Sequence, residues 1–291
     1  MILDYEEVGL RSIHATRPIA ITARNKPAHF RGRRMPGRSE ARIQRVVDFM
    51  HENIGEPLTI SDLARVVSFS KFHFTRVFQR VTGMSPGRFL SAIRLEEAKR
   101  LLLTTSLKIT DISLSVGYTS VGTFSSRFTR SVGLTPTAYR QLHGQASEIH
   151  QLPALPSGGV LSGRALQRPA DRGGPIYIGL FPGPIPEGRP ARCTVLDGPG
   201  PFRLDRVPTG SWFVLAHSIA VPIDGVDVAH LHEHRVTIGS VGPLTVSGTT
   251  NLGDVALQLR PMRGIDPPVL LALLEVRRGA LRAAHRQDLA A

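Results

Sequence analysis

Two short segments of this chain carry side chains that could contact the exposed edges of base pairs. The first segment, residues 70–81, offers five candidates: Lys71, Phe72, Thr75, Arg76 and Gln79. A guanidinium such as that of Arg76 can form two parallel hydrogen bonds with guanine, and an aromatic ring such as that of Phe72 can contact the methyl group of thymine. Packing against a neighbouring helix is the alternative for Phe72. The predicted chemistry is recognition of a double-stranded DNA partner.

The second segment, residues 120–132, offers smaller and less polar candidates: Val121, Gly122, Thr123, Ser126 and Arg127. Because these side chains bring few donors, we expect this segment to discriminate less between base sequences and to contribute more to positioning on the phosphate backbone. Arg130 and Arg140 are candidate phosphate contacts. A solvated basic face is the alternative for both arginines.

Two copies of a helix-turn-helix pattern, at residues 58–86 and 108–136, would position these side chains. Each copy predicts a short helix, a tight turn and a longer helix that begins at Ser70 or Ser120. A Gly-x-Ser/Thr-Pro sequence then predicts a helix end at the glycine and a new helix at the proline. Within each longer helix, apolar residues at three- and four-residue spacing predict the buried face: Phe74, Val77 and Phe78, then Phe124 and Phe128.

A helix over residues 88–103 is predicted to connect the two copies, because it has an apolar face and no internal glycine or proline. Its length is roughly 24 Å at helical rise. Neighbouring major-groove segments on one DNA face lie about 34 Å apart. We therefore expect one chain to span two adjacent segments of bent DNA. An earlier helix is predicted from the spacing of Ile43, Val46, Val47 and Met50.

Residues 40–142 resemble the DNA-binding domain of the AraC/XylS family of transcription regulators. The strongest likeness is TFSSRFTRSVGLTPTAYR, residues 123–140, which is similar to the family's second recognition helix, its Gly-x-Thr-Pro turn and the Tyr-Arg that follows. The resemblance implies an all-α double helix-turn-helix domain over residues 40–143. It also implies sequence-specific regulation of transcription, activation more than repression, and RNA polymerase as a partner. Most family members carry this domain at the C-terminal end, so the order here is reversed.

The composition changes after Gly144. Residues 144–173 are rich in Pro, Gly, Ser and Arg and predict a linker. Short apolar runs separated by turn residues then predict a small all-β sandwich over residues 174–291. The run FRLDRVPTGSWFVLAHS, residues 202–218, resembles the carboxypeptidase-regulatory or prealbumin-like β-sandwich. Residues 268–282 fit either a helix or a strand, and residues 1–39 predict a flexible basic arm.

Charge and composition further narrow the class of protein to which this chain can belong. The 291 residues carry a formal net charge of +13, which favours a polyanionic partner, although an arginine-rich composition is the alternative. No apolar run is long enough for a membrane span, and the single cysteine, Cys193, suits the reducing cytoplasm. No nucleophile elbow, phosphate loop or dinucleotide motif occurs, so we expect neither an enzyme nor a cofactor.

Two expectations concern the second half of the chain. His230, His232 and His234 alternate and would share one face of a strand, but an exposed loop is the alternative and we expect no metal there. The second domain could sense a small-molecule effector, or it could be a protein-interaction or dimerisation module.

Overall fold

The computed structural model describes residues 37–144, 158–169, 174–219, 236–248 and 251–271. Within these ranges the helices precede the strands, which confirms the predicted order of an all-α domain and a β-rich region. The helices are α1 (Arg38–Glu52), α2 (Ile60–Val66), α3 (Lys71–Thr82), α4 (Pro86–Thr104), α5 (Ile109–Ser115), α6 (Val121–Val132) and α7 (Pro136–Gln141). The strands are β1 (Gly159–Leu166), β2 (Ile176–Phe181), β3 (Cys193–Leu196), β4 (Gly200–Val207), β5 (Gly210–Ile219), β6 (Val236–Val246), β7 (Asn251–Gln258) and β8 (Arg260–Pro261).

The helices form two lobes, each around its own apolar core. The first lobe consists of α1, α2, α3 and the first half of α4. The second lobe consists of the second half of α4 with α5, α6 and α7. Since α4 supplies side chains to both cores, it joins the lobes as one unbroken helix of 19 residues. The predicted connecting helix is therefore confirmed, and it extends slightly beyond residues 88–103.

The two lobes repeat the same aromatic packing. In the first lobe the ring of Phe78 lies 5.5 Å from that of Phe74 and 5.4 Å from that of Phe89. In the second lobe the ring of Phe128 lies 5.6 Å from that of Phe124 and 5.5 Å from that of Tyr139. Because these rings are fully buried, they fix the inward face of α3 and of α6.

Local signals begin and end the helices as the sequence predicts. Ser70 and Ser120 are the N-caps of α3 and α6, and each side chain accepts a hydrogen bond from the backbone three residues later. Gly83 and Gly133 end these helices with φ angles of 79° and 91°. This left-handed conformation is one that residues with a Cβ atom rarely adopt.

The strands form two sheets with the orders β4-β1-β7 and β3-β2-β5-β6-β8. β1 pairs with β4 in antiparallel and with β7 in parallel orientation. Side chains from both sheets meet in one core, to which β1 contributes Leu161 and Ala165 and β2 contributes Ile176, Ile178 and Leu180. The predicted all-β character of this region is confirmed, whereas its likeness to a prealbumin-like sandwich stays a prediction.

The predicted linker over residues 144–173 is wrong for residues 159–166, because these residues form β1, the central strand of the smaller sheet. We expected the glycines of this stretch to make a flexible linker, but Gly163 has a different role. A Cβ atom on Gly163 would collide with the backbone of Val255 in β7, so glycine permits the close approach of two strands. Residues 268–271 form neither helix nor strand, and residues 272–282 lie outside the described residues.

Candidate nucleic-acid interface

The outer face of α3 presents most of the candidate base-reading side chains to solvent. Lys71, Phe72, Arg76 and Gln79 are exposed, and Thr75 is half-buried. Phe72 is 88% exposed, so its ring does not pack against a neighbouring helix as the alternative proposed. Phe72 is thus a large apolar ring on the surface, on the same helix as the exposed cations Lys71 and Arg76, and it is available to contact a partner.

The residue next to Phe72 has an internal role. The ring of His73 lies 4.4 Å from that of Phe69, and the guanidinium of Arg42 lies 5.1 Å from the Phe69 ring centre. These contacts tie the start of α3 to α1.

The outer face of α6 is smaller and less polar. Gly122, Thr123 and Ser126 are exposed, and Val121 is half-buried. Arg130, in the last turn, is exposed as well. Whether any of these residues, or those of α3, contacts DNA stays a prediction, but the structure brings them to the exposed faces of the two second helices.

Two other candidate arginines are half-buried and bind the protein itself. Arg127 donates from Nε to the hydroxyl of Ser91 on α4 at 3.3 Å. Arg140 donates from Nε to the carbonyl of Leu102 at 3.1 Å and from its terminal nitrogen to the carbonyl of Leu107 at 2.7 Å. These bonds anchor α6 and α7 to α4 and to the segment that follows it. For both arginines the contact with DNA stays a prediction.

A contact that the sequence analysis missed joins the two motifs directly. Arg94 on α4 donates to the carbonyls of Ile54 and Glu56, at 3.0 and 2.6 Å, in the turn before α2. Its guanidinium also lies against Gly117 in the turn between α5 and α6, where a Cβ atom would be 2.6 Å away. Burial lowers the pKa of Arg94. One side chain therefore holds the turns of both lobes.

The glycines Gly55 and Gly117 are the sequence signal that could have revealed this contact. A Cβ atom on Gly55 would lie 2.9 Å from the carbonyl oxygen of Ser115, and Gly117 has a φ of 81°. Both positions require the backbones of the two lobes to approach closely. The two helix-turn-helix motifs are therefore packed against each other as well as joined by α4.

Two further expectations concern metals and membranes. Among the described residues, no group of three or more His, Cys, Asp and Glu side chains is arranged to hold a metal ion. The three alternating histidines, His230, His232 and His234, lie outside those residues. No helix in the described part of the chain has both the length and the apolar character needed to cross a membrane.

Two helix-turn-helix motifs, each with an exposed second helix, have the architecture of a double helix-turn-helix DNA-binding domain. Comparison with known proteins agrees: a family model described as a helix-turn-helix domain matches residues 63–142. The HTH-type transcriptional activator AarP of Providencia stuartii is 32% identical over 98 residues, which cover 34% of this chain and 73% of that protein. The chain belongs to the AraC/XylS family of transcription regulators.

Other relatives match over a smaller share of their length. The lactose operon transcription activator of Staphylococcus xylosus is 37% identical over 98 residues, which cover 34% of this chain and 35% of that protein. The melibiose operon regulatory protein of Escherichia coli (strain K12) is 29% identical over 147 residues, which cover 49% and 48% of the two chains. The chain thus spans about a third to a half of the length of these two relatives.

Proposed function

We propose that this protein is a sequence-specific transcription regulator, more an activator than a repressor, that places α3 and α6 in adjacent major-groove segments of one duplex. The observation that carries the proposal is the pair of helix-turn-helix motifs on one continuous helix, with the outer faces of α3 and α6 exposed. In such motifs the second helix enters the major groove and its N-terminal residues meet the base edges.

The connection between the lobes supports simultaneous binding of both helices. The 19 residues of α4 correspond to about 28 Å at helical rise, and Arg94 fixes the two motifs to each other. A rigid spacing shorter than the roughly 34 Å between neighbouring groove segments favours DNA that bends toward the protein. We therefore expect the bound duplex to be bent.

The two helices divide the work of recognition in this proposal. On α3, Arg76 reads guanine, Phe72 contacts a thymine methyl group, and Lys71 and Gln79 add donors. On α6, the side chains of Thr123 and Ser126 are short. This helix therefore contributes more to positioning the protein on the DNA than to discrimination between base sequences. Arg130 contacts a phosphate.

Further partners enter the proposal only by analogy with the family. RNA polymerase would be the protein partner of an activator. A small-molecule effector or a second protein would bind the strand region, which is the part of the chain from β1 onward. A regulator of this kind would bind DNA without catalysing a reaction and would act in the cytoplasm.

The proposal is tested by selecting bound duplexes from a random pool with the full chain. We expect an enriched sequence with two conserved segments about one helical turn apart, the more strongly conserved one facing α3. Arg76→Ala should relax the preference at one base position. The matched control is Arg203→Ala, which removes the same charge from an exposed site on β4. Recovery of no common sequence from the pool would refute the proposal.

A further inference from the structure

The loop between β2 and β3 leaves the strand region and contacts both helical lobes. The side chain of Ile185 is 3% exposed and belongs to the core of the first lobe, with Phe89 and Leu90 of α4. Two and three residues later, Glu187 and Gly188 contact α6 in the second lobe. A single short loop therefore contacts both lobes. The relative position of the lobes sets the spacing between α3 and α6.

The carboxylate of Glu187 joins side chains from two different helices. Its Oε1 accepts a hydrogen bond from Arg88, at the start of α4, at 2.7 Å. Its Oε2 accepts one from the hydroxyl of Ser131 on α6 at 3.3 Å and lies 3.8 Å from a terminal nitrogen of Arg127. Because the Glu187 side chain is only 23% exposed, water screens these interactions less than it screens a surface ion pair.

The backbone of the same loop supports the end of α6. The N–H of Gly188 donates to the carbonyl of Ser131 at 2.9 Å. This carbonyl lies in the last turn of α6, where carbonyls have no partner within the helix. Gly188 has a φ of 73°, and a Cβ atom there would lie 3.1 Å from the carbonyl oxygen of Arg130. Glycine at this position lets the loop lie directly on the helix.

The strand region reaches both lobes at a second place, after β8. Arg263 lies 3.4 Å from Glu40 of α1, and Ile265 is buried in the first core. Leu270 is fully buried in the second core, where Lys99 donates to the carbonyl of Val269 at 3.0 Å. The strand region is thus braced against both lobes along two separate segments.

We propose that the β2–β3 loop, residues 182–192, acts as an interlobe clamp in which Glu187 is a positioning residue for DNA reading. The clamp holds α6 at a fixed angle to α3 by linking Arg88 to Arg127 and Ser131. This inference rests on the proposed function, because the fixed angle matters only if both helices enter one duplex.

Electrostatics alone would favour a different residue at position 187. A carboxylate there offsets the positive charge of Arg88 and Arg127, and those charges would otherwise attract phosphate. In the clamp, Glu187 acts through the position it gives to α6 and not through attraction of phosphate. When the clamp already holds α6 in position relative to α3, no free energy is lost in ordering the second lobe as it binds. The affinity for a duplex that contains both segments is therefore higher.

The test compares Glu187→Ala with Glu97→Ala in the full chain. Glu97 pairs with Arg100 at 2.6 Å within α4, so its loss changes the net charge equally without touching the contacts between lobes. The probes are a two-segment duplex selected with the wild-type chain and the same duplex with the segment facing α6 scrambled. The readout is the affinity for the intact duplex divided by the affinity for the scrambled duplex. The fraction of folded protein does not change this ratio.

We expect Glu187→Ala to lower this ratio about fivefold or more and to leave binding of the scrambled duplex unchanged or slightly stronger. Glu97→Ala should leave the ratio within about twofold of wild type. Ile185→Ala, which removes the apolar anchor without a change of charge, should lower the ratio as well.

An unchanged ratio in Glu187→Ala, or an equal fall in both glutamate variants, would overturn the clamp while leaving the proposed function intact. A wild-type chain that binds the intact and scrambled duplexes equally would instead contradict the proposed function itself. The two failures are therefore distinguishable in one experiment.

Discussion

The helices α3 and α6 are equal in length and capped in the same way, but they present different surfaces. Both contain 12 residues and follow a serine N-cap, Ser70 or Ser120, so each residue of α3 has a counterpart 50 positions later (120 − 70 = 50). At the exposed positions, Phe72 corresponds to Gly122 and Arg76 to Ser126. The buried framework is repeated, whereas the outer surface is not. In our proposal this difference makes α3 the main reader.

The same comparison explains why two arginines bind the protein. Arg127 takes the place of Val77, which is 6% exposed, and Arg140 takes the place of Leu90, which has the same exposure. Side chains at these positions begin on the inward side of their helices. The long guanidinium stems therefore lie along α4 and reach hydroxyl and carbonyl oxygens of the protein.

The largest effects are expected from the repeated aromatic cores. Phe78→Ala and Phe128→Ala each remove a fully buried ring, and each should lower the free energy of unfolding by about 3–5 kcal/mol in urea denaturation. Phe72→Ala, on the exposed face of α3, is the matched control and should change it by less than about 0.5 kcal/mol. A cost under about 1 kcal/mol for either core variant would show that the two lobes are not equivalent.

The second effect separates the outer faces. Arg76→Ala should weaken binding to a selected duplex about 10- to 100-fold and relax one base position, because a bidentate contact contributes about 1–3 kcal/mol. Ser126→Ala, the substitution at the equivalent position of α6, should weaken binding less than about threefold. Equal losses of affinity for the two variants in a titration of the same duplex would contradict the proposal that α3 recognises bases and α6 mainly positions the protein.

A third effect concerns a buried cation in the second lobe. Burial lowers the pKa of Lys99 from its usual 10.5 to about 8, and Glu96 opposes the shift. Below pH 8 the amine is protonated in both states, so its burial cost is fully present. As the pH rises from about 8 to 10.5, the folded protein loses this proton before the unfolded chain does, and the cost is relieved.

The free energy of unfolding of wild type should therefore rise relative to Lys99→Met, by about 2 kcal/mol between roughly pH 7.5 and pH 10. The difference is measured by urea denaturation across that range. Lys108→Met, which removes the same charge from an exposed lysine, is the matched control. A constant difference for Lys99→Met would mean that the amine of Lys99 is not desolvated in the folded protein.

The smallest effect is expected in the last turns of the two helices. Arg80 and Arg130 occupy equivalent exposed positions. Arg130→Ala should weaken binding to all duplexes alike and flatten the slope of log affinity against log salt by about 0.9, the value for one phosphate contact. Arg80→Ala shows whether the first lobe holds a phosphate in the same way. A change of base preference in Arg130→Ala would exclude a pure phosphate contact.

Local sequence signals predicted the helical part well, because caps, glycine ends and apolar spacing act within a few residues. They correctly placed Ser70, Gly83, Phe78 and their counterparts in α6. Contacts between distant segments have no such signal. The linker prediction failed at β1 because Gly163 is needed for contact with a strand about 90 residues away.

The site was predicted less completely for the same reason. Placing Arg127 on the outward face of α6 missed its inward position, although a residue-by-residue alignment of the two copies would have shown it. Nothing local to Ile185, Glu187 or Leu270 predicts that the strand region contributes to the helical cores. The cores of the two helical lobes therefore include side chains from later parts of the chain.

Hydroxyl-radical footprinting of the full chain on a selected duplex most directly tests whether both helices bind at once. We predict two protected stretches on one face of the DNA, about 10 base pairs apart. Phe128→Ala, which disrupts the core behind α6, should remove only the stretch facing that helix. A single protected stretch in the wild-type complex would contradict the account.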